Sequence, residues 1–90
     1  MIKEKPRPIQ HPDVVSGIEK ELILYNDDVN SFEFVIETLV EVCYHDPDQA
    51  EQCALIAHIK GKCSIKRGDE EFLRPFAVEM TRRGLTVSIV

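Results

Sequence analysis

Residues 20–43 read KELILYNDDVNSFEFVIETLVEVC, and this stretch decides the fold. Its first part, Leu22-Ile23-Leu24-Tyr25, is short, apolar and suited to a pleated surface, which predicts a strand over residues 20–26. Asn26-Asp27-Asp28 then ends the strand, because these are poor strand residues but good ones for turns and helix starts. From residue 31 to 44 the pattern changes period. Phe32, Val35, Ile36, Leu39, Val40 and Cys43 recur at helical spacing, while Glu33, Glu37 and Glu41 line the opposite face, so an amphipathic helix follows. Asn30 is the predicted N-cap, with Glu33 in the capping-box position and facing the positive end of the helix dipole. A strand that runs into an amide and two carboxylates points a cluster of acceptors off the end of a sheet.

Downstream, Asp46 is a natural N-cap, Pro47 suits the first helical position and Gln49 the capping box, so a second helix is predicted to Lys60 with a stop at Gly61. One of its faces is small. Ala50, Cys53, Ala54 and Ala57 let a neighbouring element approach closely, and His58 lies one turn beyond Ala54 on that side. Residues 62–67 (KCSIKR) alternate weakly before Gly68-Asp69 and predict a second strand. Asp69-Glu70-Glu71 opens a third helix with Phe72, Leu73, Phe76, Ala77 and Met80 as its buried stripe. Pro75 removes a backbone donor inside that stripe, which predicts a kink or a delayed start. Arg82 and Arg83 suit the C-terminal end of the helix dipole, and Gly84 ends the helix. Residues 85–90 (LTVSIV) alternate as the third and best-patterned strand. The order β-α-α-β-α-β defines an α+β fold: a small two-layer sandwich with a three-stranded antiparallel sheet and three helices packed on one face. Ahead of it, residues 1–18 carry three prolines and no sustained period. They are expected to form a mobile N-terminal arm, leaving 19–90 as the folded core.

The chain of 90 residues suffices for one domain, with roughly 60–65% of its unfolded surface buried on folding. Its net charge of −5 is unevenly laid out: residues 21–60 hold nine acids against Lys60 alone. An acidic half argues against nucleic acid, which needs a basic face, and suits a cationic ligand or a basic patch on a partner. Most of the glutamates on the first helix are expected to be a solvated face. Cys43, Cys53 and Cys63 do not have a zinc spacing, and an odd count without a signal-peptide pattern is expected of a protein in the reducing cytoplasm. No apolar run approaches the ~20 residues of a membrane span. No cofactor is expected, and the chain is expected to be a monomer.

The acceptor cluster is suited to a protonated α-amino group. Such a group has three donors and no acceptor, and the Asn26 amide oxygen, the Asp27 carboxylate and a neutral His58 offer what it needs. Charge-assisted hydrogen bonds of this kind contribute roughly 1.5–3 kcal/mol each. Phe32, Val35, Ala54 and Ala57 are the available lining for an apolar pit beside the acceptors. Each member also has a plainer explanation, since Asn-Asp pairs make turns and single histidines are commonly structural.

At these residues the chain resembles the ClpS family, the N-degron adaptors of the Clp protease. Residues 26–35 (NDDVNSFEFV) are similar to that family's Asn-Asp-Asp-x-Thr-Pro-Met-x-Phe-Val. Ala57-His58-Ile59-Lys60-Gly61 resembles its Val-His-x-x-Gly, at the family's separation. The resemblance covers about residues 20–90. It implies a non-enzymatic adaptor that binds the α-amino group and bulky hydrophobic first side chain (Leu, Phe, Tyr or Trp) of a substrate. The adaptor would hand that substrate to a Clp-family AAA+ unfoldase resembling ClpA or ClpC. By the same resemblance Asn26, Asp27 and His58 would hold the amino group, Asp28 would support the loop and Asn30 would stand near the peptide backbone. Phe32 would guard the entrance, with Val35, Ala54 and Ala57 lining the pit. Asn30-Ser31 replaces the usual Thr-Pro, Phe32 is bulkier than Met, and the alanines stand where larger apolar residues are common, so a reshaped pocket is expected. The family's Ala-Glu-x-Lys segment, which touches the unfoldase, is absent; Asp69-Glu70-Glu71-Phe72-Leu73-Arg74-Pro75 stands there.

Two other classes fit parts of the chain. A general interaction module, resembling the C-terminal domain of the ribosomal stalk protein, would use the Glu33/Glu37/Glu41 face and have no need of His58. A metal or catalytic site would have to draw on Asp27, Asp28, His45, His58 and a cysteine, and neither a zincin motif nor an activated nucleophile supports it.

Overall fold

A computed structural model describes residues 18–90. The arm expected at the N-terminus lies, apart from Ile18, outside the described residues. The elements are β1 (Lys20–Tyr25), α1 (Phe32–Cys43), α2 (Pro47–Lys60), β2 (Lys62–Gly68), α3 (Glu70–Arg82) and β3 (Thr86–Ile89). The strands form one antiparallel sheet in the order β2-β1-β3, with the helices on one face, as the sequence predicts.

β1 is central because both of its edges are paired: Leu24 lies opposite Cys63 on one side and Val87 on the other. Its helix-facing residues Leu22 and Leu24 are fully buried and join Leu39, Leu73 and Met80 in an aliphatic core. The register slips between Leu22, opposite Lys66, and Ile23, opposite Ser64. Ile65 is the extra residue of this bulge, which turns Lys66 onto the helix side. There its Nζ donates to the Cys43 carbonyl at 3.4 Å and lies 4.9 Å from the Phe76 ring centre. Such a cation–aromatic contact lets a lysine sit against the core edge with its charge compensated.

Helix starts follow side-chain oxygens, with one difference from expectation. Ser31, not Asn30, caps α1, its Oγ accepting from Phe34 N at 3.0 Å. Asp46 caps α2, and Asp69 caps α3 by accepting from Phe72 N at 2.8 Å. α1 ends without a glycine, at Tyr44 in the left-handed region (φ 61). Thr38 also departs from the polar-face pattern: it is buried, and its hydroxyl is satisfied by the Phe34 carbonyl at 2.8 Å. No delayed start follows from Pro75. α3 is already helical at Glu70 and runs through it, with only one ladder bond removed. β3 is shorter than its pattern, and Leu85 is instead a buried residue of the connection before it.

α2 inverts the usual arrangement, burying Ala50, Ala54 and Ala57 while Leu55, Ile56 and Ile59 are exposed. Small inward residues bring its backbone close to α1 and β2. The two buried thiols belong to the same packing. Burial pushes Cys43 up to about 11, and burial with the neighbouring Cys53 thiol does the same for Cys63. Both are therefore protonated, unreactive core groups at neutral pH. No helix among the described residues is long and apolar enough to cross a membrane.

Candidate functional site

Two backbone connections bring the sequence-distant parts of the site together. Asn26 N donates to the Gly61 carbonyl at 2.9 Å, one step beyond the Tyr25–Lys62 strand pair. Gly61, at φ +94, ends α2 by donating from its N–H to the Ala57 carbonyl at 2.8 Å. The last turn of α2, which carries Ala57 and His58, is thus pinned beside the loop that follows β1.

Between them lies a cavity of about 370 Å³, large enough for a side chain with part of its main chain. It is lined by Asn26, Asp27, Asp28, Asn30, Phe32, Val35, Ala54, Ala57 and His58, together with Leu24 and Tyr25. Every residue expected at the site from the sequence therefore borders one cavity. Leu24 and Tyr25 were missed. The only sign of them is their place as the last residues of the strand that runs into Asn26. Leu24, buried like Ala54 and Ala57, contributes to the apolar wall, whereas Phe32 is 36% exposed. The Tyr25 hydroxyl is hydrogen-bonded to Ser88 Oγ at 2.8 Å.

The loop itself is built on Asp27. Oδ1 accepts from Val29 N at 2.9 Å and Asn30 N at 2.8 Å, and Oδ2 accepts from Asn30 Nδ2 at 3.0 Å. Bracing therefore falls on Asp27 rather than on Asp28, the residue expected to do it. Asp28 is exposed and has no hydrogen-bond or ion-pair partner among the described residues. A carboxylate offers about four acceptor positions, so one on Oδ2 of Asp27 remains for a ligand. The imidazole of His58 is exposed and likewise unpaired among the described residues. Acceptors thus gather around the apolar wall.

These hydrogen bonds, led by that from Asn30 N and opposed by partial burial, lower Asp27 below its ordinary 3.8. The folded loop therefore favours the ionised form: its contribution is present above the unfolded value and is lost as pH falls through the still lower folded value. A pH titration followed by NMR at the Val29 and Asn30 amides is expected to give a midpoint below 3.8. A midpoint at or above that value would mean the brace does not form in solution.

His45 does not share this cavity. It borders a separate hollow with Cys53, Ser64 and Ile65, and burial, then Lys66, lowers its basicity. No group of three or more His, Cys, Asp or Glu among the described residues is placed to hold a metal ion. Glu33, Glu37 and Glu41 are exposed, and Glu41 accepts a hydrogen bond from Arg83 at 2.6 Å.

Fold and site together define a class: a two-layer βααβαβ domain with a cavity, lined by both hydrogen-bond acceptors and apolar side chains, at the end of its central strand. The family model for the ATP-dependent Clp protease adaptor protein ClpS matches residues 19–88, and the chain belongs to that family. An ATP-dependent Clp protease adapter protein ClpS from Nitratidesulfovibrio vulgaris is 42% identical over 46 residues. That match spans about half of each protein, 49% of this chain and 46% of the relative. Agrobacterium tumefaciens ClpS2, solved bound to L-phenylalaninamide, superposes with a TM-score of 0.77 at 22% identity, over 89% of this chain and 98% of that one. At that identity the likeness carries the fold.

Proposed function

We propose that the chain is a non-enzymatic, cytoplasmic adaptor that captures proteins by their free α-amino group and a bulky hydrophobic first side chain (Leu, Phe, Tyr or Trp). It passes them to a Clp-type AAA+ unfoldase of the ClpA or ClpC kind. The observation that carries this reading is the single cavity bordered both by the polar Asp27 and His58 and by the apolar Leu24, Val35, Ala54 and Ala57. An α-ammonium group at the mouth would donate to the remaining Oδ2 position of Asp27, to the Asn26 amide oxygen and to the His58 imidazole. One carboxylate also balances its charge, which a half-enclosed ammonium requires. The side chain of that first residue would then enter between Val35 and the two alanines, with Phe32 over the opening. Belonging to an adaptor family of the Clp protease supports this reading, as does a relative bound to L-phenylalaninamide, itself a free α-amine with an aromatic side chain. Small wall residues at Ala54 and Ala57 favour large first side chains over small ones.

Fluorescence anisotropy with a Phe-initiated peptide and its N-acetylated twin tests the reading directly. Acetylation removes the charge and two of the three donors, so affinity is expected to fall at least about tenfold. Equal binding of the two, or binding of neither, would rule out amino-group capture.

A further inference from the structure

The side chain of Asn30 joins two parts of the fold that are far apart in sequence. Its Nδ2 donates to Asp27 Oδ2 at 3.0 Å and to the Gly84 carbonyl, 54 residues away, also at 3.0 Å. Both amide protons are thereby used. Gly84 sits in the turn between α3 and β3 at φ +93, a conformation that side-chain-bearing residues rarely adopt. That turn is itself fixed to the end of α3: Gly84 N donates to the Thr81 carbonyl at 2.9 Å and Leu85 N to the Met80 carbonyl at 3.0 Å. Because Ser31 caps α1, the side chain of Asn30 has no part in starting that helix.

We propose that Asn30 is a positioning residue that clamps the Asp27 carboxylate to the α3–β3 turn, so that the end of α3 aims the acceptor at the cavity mouth. This rests on the reading of the cavity as an amine site. It assigns Asn30 to act through Asp27, whereas the resemblance places it near the peptide backbone. A carboxylate held in advance need not be ordered when the ligand arrives, and that saving appears as affinity. The clamp bonds only to Asp27 and Gly84, neither of them a residue of the apolar wall. It governs how tightly the first amine is held and not which side chain follows it.

Asn30→Ala is expected to weaken a Phe-initiated peptide roughly tenfold and a Leu-initiated one by the same factor. Asp27→Asn already breaks the clamp, because it sets an amide donor against Nδ2, so the double variant should bind no worse than Asp27→Asn alone. Additive losses, or an Asn30→Ala affinity within about twofold of the parent, would overturn the proposal in favour of direct contact or no role. Hydrogen exchange on the ligand-free proteins supplies a second readout. In Asn30→Ala the amides of residues 29 and 30, which donate to Asp27 Oδ1, should exchange faster, while that of Asn26, bonded to Gly61, should not. If the parent protein proves indifferent to acetylation, the functional reading falls, yet exchange still decides the clamp. Unchanged rates at residues 29 and 30 overturn it, and selective acceleration upholds it.

Discussion

Asp27→Ala is expected to abolish measurable binding of a Phe-initiated peptide, a loss of about a hundredfold or more, while Glu37→Ala leaves affinity unchanged. Two effects combine at Asp27. Removing the carboxylate takes away a charge-assisted acceptor, worth roughly 1.5–3 kcal/mol by itself. It also strands the three donors that Asp27 now satisfies, the amides of Val29 and Asn30 and the Asn30 side chain. The loop that carries Asn26 and Asp28 would then be reorganised. Glu37 carries the same charge on the same helix-and-loop segment, but it is exposed and away from the cavity. Comparing the two by anisotropy separates a site from bulk acidity. Similar losses from both would mean that the acidic half attracts cations in general and that no amine site exists.

Leu39→Ala is expected to give the largest loss of stability, about 2–5 kcal/mol. Leu39 is fully buried where α1 meets the core, among Leu22, Leu24, Leu73 and Met80. Its deletion removes apolar burial and leaves a cavity in the aliphatic core. Against a total of roughly 5–15 kcal/mol for a domain of this kind, that loss is a large share. Urea unfolding should show a lower midpoint at unchanged slope. Val78→Ala, on the exposed side of α3 at 61% accessibility, should stay within about 0.5 kcal/mol of the parent. A Leu39→Ala loss of less than about 1 kcal/mol would mean the core readjusts around the gap.

Both predictions turn on residues whose importance is unequally visible in the sequence. Leu39 lies on a clean helical stripe, and its burial follows from periodicity. For Asp27, the acidic, turn-forming chemistry is legible, but its division of labour with its neighbours is not. Asp27 and Asp28 are the same residue type side by side. Which one turns inward to brace the loop depends on the backbone angles of the turn, and these are set by the Gly61 and Gly84 contacts from distant segments. Cap choice follows the same logic. Asn30 and Ser31 are both good N-caps, and Asn30 is diverted because Gly84 lies within reach of its amide.

Lys66 and Pro75 show where local rules yield to tertiary packing. A lysine in a strand reads as solvent-facing, but the bulge at Ile65 turns it over Phe72 and Phe76. A proline inside a helical stripe reads as a break, but here α3 is already set at both ends, by the Asp69 cap and by the turn at Gly84. One missing bond is tolerated there. The exposed Leu55, Ile56 and Ile59 could not be placed from hydrophobic periodicity, because α2 has apolar residues on every side; only the small face at Ala50, Ala54 and Ala57 marks the side that is buried. Alanine is buried there since only a small side chain allows the close approach to α1 and β2.

By itself the sequence determined the order of elements, the antiparallel two-layer sandwich, the aliphatic core and nine of the eleven residues that border the cavity. These depend on period, caps and residue chemistry, which act over a few positions along the chain. Only the tertiary structure decided which aspartate braces the loop, that Asn30 reaches Gly84, and that Leu24 and Tyr25 join the wall. These depend on where segments tens of residues apart meet, and the path of a turn is fixed by hydrogen bonds from outside it.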